Sequence, residues 1–275
     1  MEMIDFLSYG FIQRALITGF FIALLCSFLG FFLVLRRLSL IGDGLAHVTF
    51  GSVAVALFFK TFALYVSIPV VMISALGILR LIEKAKLHGD AAIGIVSSLG
   101  IAIGILLASL AGGFNIDLFS YLFGNILAIS REEMILSILL SGVVFLVIIF
   151  FYHDLLSVTF DEESAKAAGV KTRRINTLLF LLTAVTVVLT MKAVGILLTS
   201  ALLILPAVTS LQVSKGFKAS LLISSLVGVL SVIGGIFISF WLNLPTGATI
   251  VLFNFFIFML VFAHRRYNIK KRRLL

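Results

Sequence analysis

The chain is 275 residues long, with 61% hydrophobic residues, 12% charged residues and a mean hydropathy of +1.25. A soluble domain carries about 25% charged residues, so this composition excludes a soluble protein of the same length. The net charge of +9 comes from basic residues dispersed over short segments, which disfavours a nucleic-acid-binding patch. We therefore expect an all-α, polytopic bundle of about eight or nine transmembrane helices that forms one domain over residues 1–275.

Nine apolar stretches are long enough to cross a hydrocarbon core about 30 Å thick. They are predicted at 15–35, 43–60, 62–82, 91–111, 133–152, 175–192, 195–213, 219–242 and 247–263. The segment 112–130 is apolar but is interrupted by Gly, Asn and Asp, so we expect a re-entrant or interfacial helix facing outward. Small residues at helical spacing, such as Gly100 and Gly104, predict close helix packing in a compact bundle.

Lysine and arginine divide unevenly between the two sides of this topology. The segments assigned to the inside hold Arg36, Arg37, Arg80, Lys84, Lys86, Lys166, Lys171, Arg173, Arg174, Lys215, Lys218, Arg265, Arg266, Lys270, Lys271, Arg272 and Arg273. The outside segments hold Arg14, Lys60, Arg131 and Lys192. The positive-inside rule therefore predicts a multi-pass protein of the inner (cytoplasmic) membrane, with its N-terminus outside and its C-terminus cytoplasmic.

The second span opens with a carboxylate and an imidazole four residues apart. Asp43 and His47 lie in the stretch RRLSLIGDGLAH (36–47) and share one face of a helix. The other acidic residues fall in termini or connections, and the other histidines lie beside loops. Because a charge at membrane depth is costly, a chain that keeps one usually uses it for ion or proton passage. We interpret the pair as a divalent-metal site on a transport path.

The ligand types narrow the choice of metal without deciding it. Carboxylate oxygen and imidazole nitrogen suit zinc, manganese or ferrous iron, and the absence of thiolates disfavours a soft-metal site. Two ligands make a weak site, and a two-fold dimer would bring a second Asp43 and His47 to complete four. The alternative is a buried, hydrogen-bonded pair that fixes the bend between the first two spans. No permanently bound cofactor is expected; the metal would be the transported ion.

A long polar connection, residues 153–176, separates the fifth and sixth spans and is predicted to be a cytoplasmic loop. Asp161 can cap a helix, Glu162 and Glu163 suit its first turn, and Gly169 suits a left-handed stop. This predicts a short helix outside the membrane, formed by Asp161, Glu162, Glu163, Ser164, Ala165, Lys166, Ala167, Ala168, Gly169 and Val170. Such a helix either lies at the membrane interface or docks a soluble partner.

The sequence contains no GxxxxGK[ST] phosphate-binding loop, so ATP-driven work must come from another polypeptide. We therefore expect a permease subunit and not an enzyme.

Six stretches resemble the permease subunits of bacterial zinc- and manganese-type ABC importers, over roughly residues 10–263. They are RRLSLIGDGLAHVTFG (36–51), HGDAAIGIVSS (88–98), DLFSYLFGNIL (117–127), DEESAKAAGVKTRRIN (161–176), VGILLTSALLILPAVTS (194–210) and LPTGATIV (244–251). The resemblance implies a type II importer-like permease that forms a homodimer. It also implies two cytoplasmic ATP-binding subunits and an extracytoplasmic metal-binding protein as partners.

The resemblance also implies roles for individual residues. It places Asp43 and His47 at the family's metal-coordinating acid and histidine. It places residues 161–170, called the coupling segment below, at the cytoplasmic helix that sits in the ATPase groove. Asn125 stands where an acid is common, so it is given no metal role. Gly44 stands where alanine or threonine is common, which we expect to loosen the start of the second span.

Three functions are compared on these observations. The favoured one is the permease of an ATP-driven importer of zinc, manganese or iron, coupled through the coupling segment to separate ATPase subunits. The alternative is a self-sufficient secondary metal transporter or channel, in which the same Asp–His pair exchanges protons for metal. A membrane-embedded metalloenzyme needs three ligands and a general base, and the chain offers too few polar residues within its spans.

Overall fold

The computed structural model describes residues 9–111 and 116–274, and nearly all of these residues are helical. The α-helices are α1 (Gly10–Leu35), α2 (Ile41–Phe58), α3 (Ala63–Glu83), α4 (Gly89–Leu110), α5 (Ile116–Phe123), α6 (Arg131–Phe150), α7 (Tyr152–Phe160), α8 (Glu162–Ala167), α9 (Thr172–Ala193), α10 (Thr199–Val213), α11 (Phe217–Leu242) and α12 (Thr246–Leu274). Two 3-10 helices cover Ile126–Ala128 and Ile196–Leu198. The predicted all-α class is confirmed.

Eight of the described helices are long and apolar enough to cross a membrane: α1, α2, α3, α4, α6, α9, α11 and α12. The protein is therefore a multi-pass membrane protein. The seventh predicted span, 195–213, is shorter than expected. It consists of a 3-10 turn followed by α10, whose 15 residues extend about 22 Å.

Gly195 explains this shortening, because its φ of 99° cannot continue α9. The residue packs against Gly124, which has a φ of 71° and ends the turn after α5. A Cβ on Gly195 would lie 2.5 Å from the carbonyl oxygen of Leu122, so two backbones meet here at a distance that excludes a side chain. The predicted interfacial segment 112–130 is described from residue 116 onward, and the eight residues of α5 are too short to cross a membrane.

The helices form a buried centre and an exposed periphery. Helices α1, α2 and α9 have most of their residues buried, whereas α3, α4, α6 and α12 have fewer than a third of theirs buried. The exposed side chains include many large apolar ones, such as Leu99, Leu139 and Leu252. Such a surface suits contact with lipid chains or with another apolar surface in the membrane. The polar and charged residues of interest therefore lie near the ends of the bundle.

Polar contacts identify two opposite ends of the bundle. At one end, called the Lys192 end, Arg14 Nε donates to the Ile129 carbonyl at 3.0 Å and Lys192 pairs with Glu133 at 3.3 Å. At the other, called the Arg36 end, the pairs are Arg36–Glu162 at 3.2 Å, Arg173–Glu83 at 3.4 Å and Arg265–Gln212. Three of the basic residues assigned to the inside, Arg36, Arg173 and Arg265, thus lie at the Arg36 end.

Candidate metal centre and coupling segment

A tight turn brings the chain from α1 into the helix that carries Asp43 and His47. Arg37 adopts a φ of 59°, and the Leu38 N–H donates to the Leu33 carbonyl at 2.8 Å, which closes the end of α1. Helix α2 then begins at Ile41, so Asp43 lies in its first turn. The partial positive charge of a helix N-terminus favours a carboxylate there.

Asp43 and His47 lie side by side on α2, as their spacing predicts. The His47 Nε2 and Asp43 Oδ2 atoms are 3.6 Å apart, and the two side chains are 26% and 50% exposed in the single chain. This distance is too long for a hydrogen bond, so the pair is not locked together. Two ligands bound to one tetrahedral ion at about 2.1 Å lie about 3.4 Å apart. The arrangement therefore suits shared coordination of an ion better than a sealed hydrogen-bonded pair.

Close packing against α4 fixes the orientation of α2. A Cβ on Gly100 would lie 2.7 Å from Val48 Cα and 2.9 Å from the His47 carbonyl oxygen. Gly51 approaches the Gly100 carbonyl just as closely, so the predicted role of the small residues in helix packing holds within this chain. Gly44 packs against Ile93, whose Cγ2 would be 2.4 Å from an added Cβ. Gly44 therefore permits a close contact between α2 and α4, and the expected loosening of the start of α2 stays a prediction.

Asp43 and His47 belong to no larger cluster of candidate metal ligands in the part of the chain that the structure describes. Among the residues whose side chains the structure describes, no group of three or more His, Cys, Asp or Glu side chains could hold a metal ion. The described part of the chain thus presents two candidate ligands on a partly exposed face.

The coupling segment has the predicted helix. Asp161 Oδ1 accepts from the backbone N–H groups of Glu163 and Ser164 at 3.0 and 3.2 Å, which caps α8. The Ser164 hydroxyl bond lowers the pKa of the Asp161 carboxyl, and the backbone bonds act in the same direction. At the other end Gly169 has a φ of 88°, and the Val170 N–H donates to the Ala165 carbonyl. Of this segment Ala165 is buried, and most other side chains are exposed.

Glu162 ties this exposed helix to the membrane helices. Its Oε2 accepts from Arg36 Nη2 at 3.2 Å, and its Oε1 accepts from Asn176 Nδ2 at 2.9 Å. Burial lowers the pKa of the Arg36 guanidinium from its ordinary value, and the Glu162 carboxylate acts in the opposite direction. No local sequence pattern predicts this contact, because its partners come from distant parts of the chain.

A second charged contact was also missed from the sequence. Glu133, predicted to lie in a connection, is 8% exposed in its side chain and pairs with Lys192 at the end of α9. The Lys192 ammonium also lies 5.0 Å from the centre of the Tyr121 ring. A capping box, with Ser130 and Glu133 bonded reciprocally, starts α6 here. The Ser-x-x-Glu spacing could have predicted the helix start but not the partner.

Comparison with known proteins agrees with this architecture. The family model described as the ABC 3 transport family matches residues 8–265. The chain belongs to the ABC 3 transport family. Its predicted resemblance to the permease subunits of metal-type ABC importers is thereby confirmed.

Individual relatives match over nearly the whole chain. The manganese import system permease protein ScaB of Streptococcus gordonii is 37% identical, covering 92% of this chain and 91% of the relative. The manganese transport system membrane protein MntC of Halalkalibacterium halodurans is 34% identical, covering 93% and 88%. The solved structure of PsaBC from Streptococcus pneumoniae in complex with Fab matches with a TM-score of 0.85 and 33% identity, covering 94% of each chain.

Proposed function

We propose that this chain is the membrane permease of an ATP-driven importer of divalent transition-metal ions, with Asp43 and His47 on the metal path. The observation that carries the proposal is the partly exposed Asp43–His47 pair near one end of a membrane helix, in a chain of the ABC 3 transport family. Two relatives named for manganese make Mn²⁺ the first ion to test. Zinc and ferrous iron also suit carboxylate and imidazole ligands.

The incomplete ligand set supports a homodimer. Two ligands hold an ion weakly, and Asp43 is half exposed in the single chain. A two-fold axis beside α2 would bring a second Asp43 and His47 to the same ion and complete four ligands. The transported ion would then lie between two copies of the chain.

The coupling segment is proposed to dock in a cytoplasmic ATP-binding subunit, while an extracytoplasmic metal-binding protein delivers the ion at the opposite face. An exposed, capped helix at the Arg36 end, where Arg36, Arg173 and Arg265 lie, supports this orientation. The variant Lys171→Cys, made in a Cys26→Ala background, should react with an impermeant thiol reagent added on the cytoplasmic side. Reaction from the outer side alone would reverse the orientation.

Reconstitution tests the function directly. Proteoliposomes that contain the chain with its ATP-binding subunits should accumulate Mn²⁺ when ATP is supplied on the cytoplasmic side, and Zn²⁺ and Fe²⁺ are measured separately. The chain alone should give no uptake, with or without a proton gradient. Proton-driven metal flux through the chain alone would contradict the proposal and indicate a secondary transporter.

A further inference from the structure

Three helices meet around one carboxylate at the Arg36 end. Glu162, the first residue of α8, accepts from Arg36 at the end of α1 and from Asn176 in the first turns of α9. Both Glu162 carboxylate oxygens therefore accept a hydrogen bond, Oε2 from Arg36 at the end of α1 and Oε1 from Asn176 of α9. A carboxylate held by two donors has a fixed position, because moving it breaks one or both bonds.

The burial of the two donors makes this contact different from an ordinary surface ion pair. The Arg36 side chain is 11% exposed, whereas Glu162 is 46% exposed. Asn176 is 6% exposed as a residue, and its Oδ1 is buried without a hydrogen-bond partner. The mostly buried Arg36 and the buried Asn176 thus donate to one half-exposed acid. Removing such a partner costs far more than removing one from a solvated pair.

The position of Arg36 in the chain links this contact to the candidate metal site. Arg36 ends α1, and the turn that follows leads through residues 37–40 into α2 and Asp43. The turn is short and is closed by backbone hydrogen bonds from Arg37 and Leu38. We therefore expect a displacement of Arg36 to displace the start of α2, because the turn between them spans only residues 37–40.

A neighbouring ion pair provides a contrast at the same end of the bundle. Arg173 of α9 pairs with Glu83 of α3 at 3.4 Å, and the Arg173 side chain is 72% exposed. This pair also joins two membrane helices, but its two residues lie outside α8. A solvated pair of this kind contributes little to stability. It is therefore a matched control for the contact of Arg36 with the coupling segment.

We propose that Arg36 is a positioning residue that, through Glu162, transmits movement of the coupling segment to the Asp43-bearing start of α2. Asn176 holds the second oxygen of Glu162 and anchors the same carboxylate to α9. This inference rests on the proposed function, since it assumes that a partner ATPase moves the coupling segment. It adds a residue outside the metal ligands and outside the coupling segment to the transport cycle.

The test measures the number of metal ions transported for each ATP hydrolysed by the complex in proteoliposomes. Arg36→Gln should lower this ratio by about tenfold, a size typical of allosteric coupling, while ATP hydrolysis continues. Arg36→Lys should restore part of the ratio, because it keeps the charge opposite Glu162. Arg173→Gln should keep the wild-type ratio. A purely structural defect would lower transport and hydrolysis together and leave the ratio unchanged.

Two further arms keep the inference falsifiable. Arg36→Gln combined with Glu162→Gln should lower the ratio no more than Arg36→Gln alone, since both changes break the same contact. Asn176→Ala should lower the ratio of metal transported to ATP hydrolysed by a smaller factor. This variant tests the inference if Arg36→Gln does not assemble. If the wild-type complex transports, a wild-type ratio in Arg36→Gln would overturn the inference. If Arg36→Gln does not assemble, a wild-type ratio in Asn176→Ala would overturn it instead. Absence of ATP-dependent uptake by the wild-type complex would instead overturn the proposed function.

Discussion

At the scale of single residues, the sequence predicted local pairs and missed distant ones. The spacing of Asp43 and His47 predicts that their side chains lie next to each other, because residues four apart on a helix share a face. The cap of α8 by Asp161 follows from the same local rules. Arg36 and Glu162 are separated by 126 positions, and no local pattern relates them. Their contact depends on how α1 and α9 pack, which the sequence does not state.

The buried pair at the Lys192 end makes a prediction about stability. Lys192→Met should lower the unfolding free energy by about 3 kcal/mol, because it leaves the Glu133 carboxylate buried without its partner. The double variant Lys192→Met with Glu133→Gln should be more stable than Lys192→Met alone, since the amide removes the buried charge. Thermal unfolding in one detergent compares the two variants. Equal midpoints for the single and double variants would contradict the expected cost of leaving the Glu133 carboxylate buried without a partner.

The cap of the coupling segment predicts a pH-dependent helix. Asp161→Ala should speed amide hydrogen exchange in α8 by about fivefold, the ratio expected for loss of one N-cap. Asp161→Asn should keep most of the protection, because its amide oxygen still accepts from the backbone. The pKa of Asp161 is lowered in the folded chain, so its stabilisation is full above the ordinary value of 3.8 and is lost as the pH falls through the lower one. Exchange in Asp161→Ala equal to that of the wild type would contradict the cap.

At the scale of helices, apolar length predicted where most spans lie, because crossing hydrocarbon requires a minimum number of residues. The break between α9 and α10 was predicted between residues 192 and 195, but the 3-10 turn that precedes α10 was not. Gly195 lies at the start of an apolar stretch with no local signal for this turn, and its backbone lies in close contact with Leu122 and Gly124. Helix α7 was also absent from the prediction, since Phe151 gives no stop signal after α6. Both features follow from tertiary packing.

The contact between α2 and α4 can be tested by adding one methyl group. Gly100→Ala should destabilise the protein by about 1–3 kcal/mol, because its Cβ would meet the backbone at Val48 and His47. Gly94→Ala on the same helix meets no atom within 4 Å and should leave the unfolding temperature unchanged or raised. Thermal unfolding of the two variants in detergent gives the comparison. Equal stability would show that α2 and α4 tolerate separation beside the candidate metal site.

At the scale of the whole molecule, three ion pairs between distant residues lie at the two ends of the bundle. The pairs Arg36–Glu162 and Arg173–Glu83 lie at one end, and Lys192–Glu133 lies at the other. The positive-inside rule assigns the Arg36 end to the cytoplasm, and this orientation stays a prediction. The sequence could not show that the coupling segment and the candidate metal helix are joined at the same end. That link arises when α1 and α9 bring Arg36 and Asn176 to Glu162.

The most direct test of the account is ATP-driven Mn²⁺ uptake by complexes that carry changes in the candidate metal site. Asp43→Ala and His47→Ala should each lower uptake by at least about tenfold, since loss of a supporting contact alone costs 10–100-fold in metal affinity. Asp90→Ala and His88→Ala, which remove an exposed acid and an exposed histidine at the start of α4, should transport like the wild type. Wild-type uptake by folded Asp43→Ala and His47→Ala complexes would contradict the metal path proposed here.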